Sequence, residues 1–204
     1  QPDLVVIAGD FVNGTAGALA SDPQALVSSL SALQAPDGTI AVLGNHDHWT
    51  APAAVRAALA QADVTVLGNQ TVERGPLWIA GIDDHYSGHA DVTATMQALP
   101  ASNRKPVIAL THSPDLAPAL PSAVTLVLAG HTHCGQMVLP VIGPLAPVFG
   151  KLVGDRHYYD ARFECGLVKH GSRTIIVRAG VGSGSIPMRL SAPPDWWLVT
   201  VRGR

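Results

Sequence analysis

Four apolar segments of this chain end in the same way, and this shared ending limits the folds that the sequence can adopt. Residues 4–8, 40–43, 107–110 and 124–128 are almost entirely aliphatic, and each segment is typical of a buried strand. Shortly after each segment the chain supplies an Asp, an Asn or a His. Ligands of α/β proteins bind outside the carboxyl ends of strands, so we expect these polar side chains to lie close together.

The polar residues at these strand ends are of the types that bind metal ions. They are Asp10, then Asn45, His46 and Asp47, then His112, and finally His131 and His133. Neutral imidazole is the commonest side-chain metal ligand, and carboxylate and amide oxygens complete many sites. On a bent loop, His131 and His133 can both point at a metal site; the alternative is a surface loop that carries two histidines.

The order of these motifs resembles that of the calcineurin-like metallophosphoesterases. The matching elements are Gly-Asp at residues 9–10, Gly-Asn-His-Asp at 44–47, the single His112, and Gly-His-Thr-His at 130–133. Gln136 and residues 182–189 are similar to one bacterial subgroup, which includes membrane-associated phosphoesterases and UDP-diacylglucosamine hydrolases.

The resemblance implies an α/β fold, a sandwich of two mixed β-sheets flanked by helices, with the site at one rim. The sequence pattern agrees, because predicted strands and helices alternate first and strands cluster later. Residues 24–33, 52–61 and 91–99 are predicted helices, and residues 196–202 a closing strand. We expect one domain over residues 1–204.

The resemblance also implies a dinuclear centre that binds two divalent metal ions, either Mn, Fe, Zn or Co. The implied ligands are Asp10, Asn45, His112, His131 and His133, with Asp10 shared by both ions. A hydroxide activated by the two ions would attack a phosphodiester, phosphomonoester or pyrophosphate bond. His46 would protonate the leaving oxygen, and Asp47 would hold the His46 ring in the required tautomer.

Two positions depart from the family pattern. Asn13 stands where the family's Gly-Asp-x-x-Asp motif has its second carboxylate, and no Asp-x-His motif precedes Gly9. The ion that His133 serves would therefore lack two ligands. We expect the missing motif to precede Gln1 in a longer protein, in which case the chain lacks its first strand. The alternative is a catalytically impaired, single-metal binding or scaffold module with the same fold.

Three further residues have two interpretations each. His48 lines the substrate pocket together with Trp49, or the two pack a loop. Arg189 binds the phosphate or another acidic group of the substrate, or it forms a surface salt bridge. Cys134 is interpreted as a small buried thiol, with contact to the metal as the alternative.

Charge and hydropathy bound the partners of the chain. A net charge of −2 gives no footprint for nucleic acid, so we expect a small phosphate ester or, from the subgroup resemblance, a nucleotide-linked lipid. The apolar, proline-rich residues 137–154 are predicted to be a loop that is either buried or touches a membrane surface. No apolar run is long enough to span a bilayer, and we expect a cytoplasmic protein or one peripheral to the inner face of a bacterial membrane.

Overall fold

The structure is a computed structural model that describes residues 1–14, 23–147, 159–184 and 186–202. The strands are β1 (Val5–Ile7), β2 (Thr39–Ala41), β3 (Val64–Val66), β4 (Gln70–Arg74), β5 (Leu77–Ile82), β6 (Val107–Thr111), β7 (Val124–Ala129), β8 (Val138–Leu139), β9 (Gly143–Pro144), β10 (Gly166–His170) and β11 (Arg173–Val177). The α-helices are α1 (Pro23–Leu30), α2 (Asn45–Thr50), α3 (Pro52–Gln61) and α4 (Val92–Gln97), and 3₁₀ turns occupy Pro114–Ala119, His133–Gly135 and Ala161–Phe163.

Two sheets form the centre of the fold. The smaller sheet has the order β1-β2-β3 and all of its pairs are parallel. The larger sheet has the order β10-β11-β7-β6-β5-β4, with antiparallel pairs at both edges and parallel pairs in the middle. β8 and β9 form a separate hairpin. The predicted α/β class with two sheets is confirmed.

The alternation of apolar residues along β2 and the residues after it explains why the sheets lie face to face. Ile40 and Val42 belong to a buried cluster that includes Ile79 and Ile108 of the larger sheet. Ala41 and Leu43 point to the opposite side, in a cluster with residues of α1 and α3. The outer face of the larger sheet packs on α4 and the 3₁₀ turn Pro114–Ala119. The fold is therefore helices, sheet, sheet and helices.

The parallel strands bring the predicted site loops to one edge. β1 and β2 run in the same direction, as do β5, β6 and β7, so the segments that follow them leave the sheets together. The Gly130 N–H donates to the His112 carbonyl at 3.0 Å and ties the loops after β7 and β6 to each other. The convergence that the strand ends predict is what the structure shows.

Several predicted elements differ from the structure at their ends or in kind. The helix over residues 52–61 is confirmed, whereas the helix predicted for 24–33 ends at Leu30. The motif at residues 44–47 begins a helix, α2, rather than an open loop. Residues 196–202 have no regular structure because, among the described residues, no strand pairs with them. The segment predicted to be a loop contains the β8–β9 hairpin, and its residues 148–154 lie outside the described ranges.

No helix within the described ranges has both the length and the apolar character required to cross a membrane.

Arg173, at the start of β11, is a buried cation that makes several hydrogen bonds to backbone carbonyls. Its guanidinium donates to the carbonyls of Val124, Ala117, Leu120 and Pro121, and the residue is 7% exposed. These bonds fasten the 3₁₀ turn that precedes β7 to β11.

Replacing Arg173 with Ala leaves these buried carbonyls without donors. We expect the free energy of unfolding, measured by urea denaturation, to fall by about 2–4 kcal/mol. Arg104→Ala, which removes an exposed arginine, is the control and should leave the midpoint nearly unchanged. Equal midpoints for the two variants would contradict this assignment.

Candidate active site

Four side chains with atoms that can bind a metal ion lie in a row at the rim of the sheets, and they come from four different segments. We call these four side chains the row of donors. Asp10 Oδ2 lies 3.2 Å from His112 Nε2, and His112 Nε2 lies 3.2 Å from His131 Nδ1. His131 Nδ1 in turn lies 3.0 Å from Asn45 Oδ1. The structure therefore brings together all four residues that the sequence assigns to one metal ion.

The spacing of this row fits the ligand shell of a transition metal. Ligands bound at about 2.1 Å from one ion lie roughly 3.0–3.4 Å apart, because the angle between them is about 90–110°. The set of one carboxylate, one amide oxygen and two imidazoles suits a first-row divalent cation. Among the described residues, no three His, Cys, Asp or Glu side chains are already arranged as a complete ligand group. The donors instead contact each other, so ion binding requires that the protons between them leave.

His112 is held in the orientation that metal binding requires. Its Nδ1 donates to the carbonyl of Ala8, which can only accept, and this leaves Nε2 directed at Asp10 and His131. Burial alone would lower the pKa of His112, but the Asp10 carboxylate, with a contribution from Asp84, raises it to about 9. The interaction between His112 and Asp10 is therefore that of an imidazolium with a carboxylate, at 3.2 Å.

Asp10 is the anionic centre of the row. Burial alone would raise its pKa, but the charge and hydrogen bond of His112 and the charges of His46 and His131 hold the pKa far below its usual range. Its second oxygen, Oδ1, accepts the backbone N–H of His46 at 3.0 Å. The carboxylate is thus ionised and anchored on one side, and its position suits the shared ligand that the sequence predicts.

Asp47 differs from its predicted role of holding the His46 ring. Its two oxygens accept four backbone N–H groups at 2.8–3.2 Å, from Gly44, Asp10, Phe11 and Val12. Burial and the neighbouring Asp10 charge raise the pKa of Asp47 to about 6, so the group is ionised at neutral pH. Asp47 fixes the loop that carries Asp10 against the start of α2.

The His46 ring is oriented by a backbone carbonyl. Its Nδ1 lies 3.0 Å from the oxygen of Gly14, and Nδ1 must carry a proton because a carbonyl only accepts. The proton that His46 exchanges is therefore on Nε2. This backbone contact has no sequence signal, since any residue supplies a carbonyl.

The site loops hold non-glycine residues in the left-handed region of the backbone. Asp10, His131 and His133 have φ values of 58°, 69° and 52°. Such conformations are uncommon outside glycine, and strained backbone of this kind is often found at active sites. The loop of His131 and His133 is therefore bent, which is what the prediction that both rings point at one site requires.

His133 is suited to a ligand role by burial. Desolvation lowers its pKa to about 4 despite the opposing charge of Asp10, so the ring is neutral at pH 7. Its buried Nδ1 has no hydrogen-bond partner among the described residues. A neutral imidazole with an unused nitrogen near Asp10 is compatible with a second metal ion.

The two residues predicted to contact substrate, His48 and Arg189, are engaged elsewhere. His48 Nε2 lies 2.7 Å from Asp83 Oδ1, and its ring stacks on His89 at 3.9 Å. The Arg189 guanidinium donates to backbone carbonyls, including those of His133, Ala192 and Ala179. Arg189 therefore fastens the segment after β11 to the His133 loop instead of presenting free donors to a phosphate.

Cys134 also differs from the expected free thiol, because it forms a disulfide with Cys165. The bond attaches the histidine loop to the residue preceding β10. Two cysteines without a motif gave no indication of this pairing, since 31 positions separate them.

Gly44 allows the close approach of two candidate ligands. A Cβ at this position would lie 2.2 Å from Asp10 Oδ1 and 2.8 Å from His112 Cε1. We expect Gly44→Ala to displace both side chains and to weaken the binding of Mn or Zn by at least about tenfold. The measurement is metal per chain by elemental mass spectrometry at limiting metal.

Gly182→Ala is the matched control for Gly44→Ala, because no atom lies within 4 Å of its added Cβ. Circular dichroism confirms that both variants are folded. Equal metal content in the two variants would contradict the role of Gly44.

Comparison with known proteins shows which family this chain resembles. The calcineurin-like phosphoesterase family matches residues 1–135. An uncharacterized metallophosphoesterase of Bacillus subtilis is 34% identical over 99% of this chain and 68% of its own length. A phosphodiesterase of Escherichia coli is 32% identical over 96% of this chain and 68% of its own length. A zebrafish transmembrane protein with a metallophosphoesterase domain is 32% identical over 94% of this chain and 44% of its own length. No solved structure gives a significant match.

These matches agree with the row of metal-binding donors at the rim of the two sheets. The chain belongs to the calcineurin-like phosphoesterase family and is a metal-dependent hydrolase of phosphoric esters.

Proposed function

We propose that the chain hydrolyses a phosphodiester, phosphomonoester or pyrophosphate bond at a dinuclear metal centre. The observation that carries this proposal is the row of donors from Asp10 through His112 and His131 to Asn45, with successive distances of 3.0–3.2 Å. These four side chains would hold one divalent cation, and Asp10 would share its carboxylate with a second cation bound by His133. The second ion needs further donors, so its affinity for this chain is the lower of the two.

Divalent cations in this position supply Lewis-acid polarisation of the phosphoryl oxygen and lower the pKa of a nucleophilic water. The residues of the chain contribute orientation and charge. Asp47 holds the Asp10 loop, the Ala8 carbonyl fixes His112, and burial keeps His133 neutral. The centre is therefore set by backbone contacts before any ion arrives.

His46 is the candidate general acid for the leaving oxygen. Because Nδ1 donates to the Gly14 carbonyl, Nε2–H is the proton that can be transferred. The backbone N–H of His46 donates to Asp10 Oδ1, so the residue lies beside the row of donors. In-line attack requires a proton donor on the side of the departing group. His46 lies beside the four donors and is not itself assigned to a cation, so its ring remains available to transfer a proton.

The substrate class rests on the family and on the phosphodiesterase among the relatives. A phosphodiester is the favoured bond for this reason, and a nucleotide-linked lipid is a specific candidate suggested by the resemblance of residues 182–189 to one bacterial subgroup. The net charge of −2 disfavours polynucleotides.

His46→Ala should lower kcat on an alkyl phosphodiester such as methyl trifluoroethyl phosphate by about 10²- to 10⁴-fold, because proton transfer to the leaving alkoxide is lost. On bis(4-nitrophenyl) phosphate the loss should be smaller, because nitrophenolate departs without a proton. Metal content, measured by elemental mass spectrometry, should stay the same, since His46 holds no ion. His85→Ala, at an exposed histidine outside the row, is the control and should retain activity.

The competing function, a binding or scaffold module with one metal, is distinguished by the same experiment. A scaffold would bind about one equivalent of metal and show no turnover for any variant to lose. About two equivalents per chain, together with chelator-sensitive hydrolysis, would exclude the scaffold. Absence of metal after incubation with Mn or Zn would overturn both readings.

We also propose that the tip of the β8–β9 hairpin contacts a lipid surface. Val141 and Ile142 are 107% and 63% exposed, and Ile186 and Met188 are 54% and 55% exposed. Gln136, just before the hairpin, donates to the carbonyls of Ile186 and Met188 and holds the two segments together. Exposed aliphatic side chains grouped in this way are typical of interaction surfaces. Arg189 ties this surface to the His133 loop, which would bring a lipid-linked phosphate close to the site.

Replacing both Val141 and Ile142 with Ser should reduce co-sedimentation with vesicles of phosphatidylethanolamine and phosphatidylglycerol by at least about tenfold, since two apolar side chains lose their burial in lipid. Leu167→Ser removes an equally exposed leucine from β10 and is the control. Equal co-sedimentation of wild type and the double variant would overturn the lipid contact.

A further inference from the structure

A row of aromatic rings connects the candidate metal ligands with the protein surface. The ring centroids of His131 and Tyr86 lie 5.0 Å apart, and those of Tyr86 and Trp49 lie 5.6 Å apart. The Trp49 indole also lies 5.4 Å from the His46 ring at an interplanar angle of 65°. Tyr86 is partly buried, whereas Trp49 is 43% exposed, so the row ends in solvent.

The position of Trp49 follows from the helix that carries His46. Both residues belong to α2 and are three positions apart, so their side chains lie on the same face. Tyr86 approaches from the loop after β5 and also contacts the indole. Both contacts are T-shaped, and 43% of the Trp49 residue remains exposed.

The uncovered part of the indole adjoins the ring that serves the leaving oxygen. His46 gives its Nε2 proton to the leaving group in the proposed reaction, so the body of that group extends from His46 into the space beside Trp49. Because Trp49 is 43% exposed and contacts the His46 ring, a planar group bound beside His46 can reach the indole and cover it. Trp49 is therefore placed to contact the part of the substrate that departs.

We propose that Trp49, supported by Tyr86, is a specificity-determining residue that stacks on a planar ring in the leaving group, either an aryl ring or a nucleobase. This inference rests on the proposed function. A flat indole face offers π-stacking to any planar ring. A flexible alkyl chain would instead be held by an enclosing aliphatic groove, whereas the ring contacts of Trp49 among the described residues are with His46 and Tyr86.

The kinetic test compares two phosphodiesters that share a methyl group and differ in the leaving group. Methyl 4-nitrophenyl phosphate carries a planar ring, and methyl trifluoroethyl phosphate carries none. Trp49→Ala should lower kcat/KM for the aryl ester by about 5- to 100-fold, mainly through KM, because stacking on the ring is lost. For the trifluoroethyl ester the change in kcat/KM should stay within about twofold. The hydrolysis of this ester is followed by ¹⁹F NMR.

Two variants act as controls. Trp49→Phe keeps a flat ring and should retain most of the aryl preference, and Trp196→Ala removes a 73% exposed tryptophan of the C-terminal segment and should alter neither ester. Equal losses on both esters for Trp49→Ala would mean that Trp49 only packs against His46, and would overturn the proposal. No loss on the aryl ester would overturn it as well.

A binding measurement separates this inference from the proposed function. The affinities of benzylphosphonate and ethylphosphonate for the metal-loaded protein are compared by isothermal titration calorimetry, which needs no turnover. Wild type should favour benzylphosphonate, and Trp49→Ala should remove that preference. A Trp49-dependent preference without hydrolysis would retain the stacking site and refute the enzyme. Hydrolysis without such a preference would do the reverse.

A third experiment identifies whether the planar ring of the leaving group is a nucleobase or a simple aryl ring. If the kinetic preference of wild type for rings extends to nucleoside 5′-phosphate methyl esters with release of the nucleoside, the ring is a nucleobase. If only aryl esters show the preference, the ring is a simple aryl group. A preference for long-chain alkyl esters over both would overturn the proposal.

Discussion

The carboxylate of Asp47 is the contact on which the geometry of the site depends. It accepts N–H groups from Gly44 at the start of α2 and from three consecutive residues, 10–12, of the loop after β1. A buried carboxylate with four donors is a strong, directional anchor. Together with the bond from the His46 N–H to Asp10 Oδ1, these contacts hold the loop of Asp10 against the start of α2. The proposed ligands Asp10 and Asn45 are thereby fixed next to each other.

Charge balance within the row of donors explains why these residues tolerate burial. The Asp10 carboxylate raises the pKa of His112 and the His112 ring lowers the pKa of Asp10, so each side chain offsets the other's cost of burial. In the proposed centre a divalent cation would lie among these same side chains. The buried Nδ1 of His133 has no hydrogen-bond partner among the described residues, which suits the second ion of that proposal.

The sequence predicts the positions of the site residues better than their contacts. Aliphatic runs ending in Asp, Asn or His identify the strands and their shared edge, because the pattern of burial is local. The roles of Asp47 and Arg189 are only partly local. Asp47 accepts the N–H groups of residues 10–12, which lie 35–37 positions away, and Arg189 donates to the carbonyl of His133, 56 positions away, as well as to nearer carbonyls. Backbone groups have no sequence signature. The same holds for the Gly14 carbonyl at His46. Residues 196–202 show the converse, since their strand-like pattern has no described neighbour with which to pair.

The disulfide between Cys134 and Cys165 makes the redox state of the surroundings a structural variable of the histidine loop. Cystine bonds persist in oxidising compartments and are opened by cytosolic thiols. When the bond is closed, the backbone following His133 is covalently attached to the start of β10. When it is open, that side of the loop keeps the hydrogen bonds of Arg189, Gln136 and Thr132. The compartment in which the chain folds thus determines how firmly the loop of His133, the proposed ligand of the second ion, is positioned.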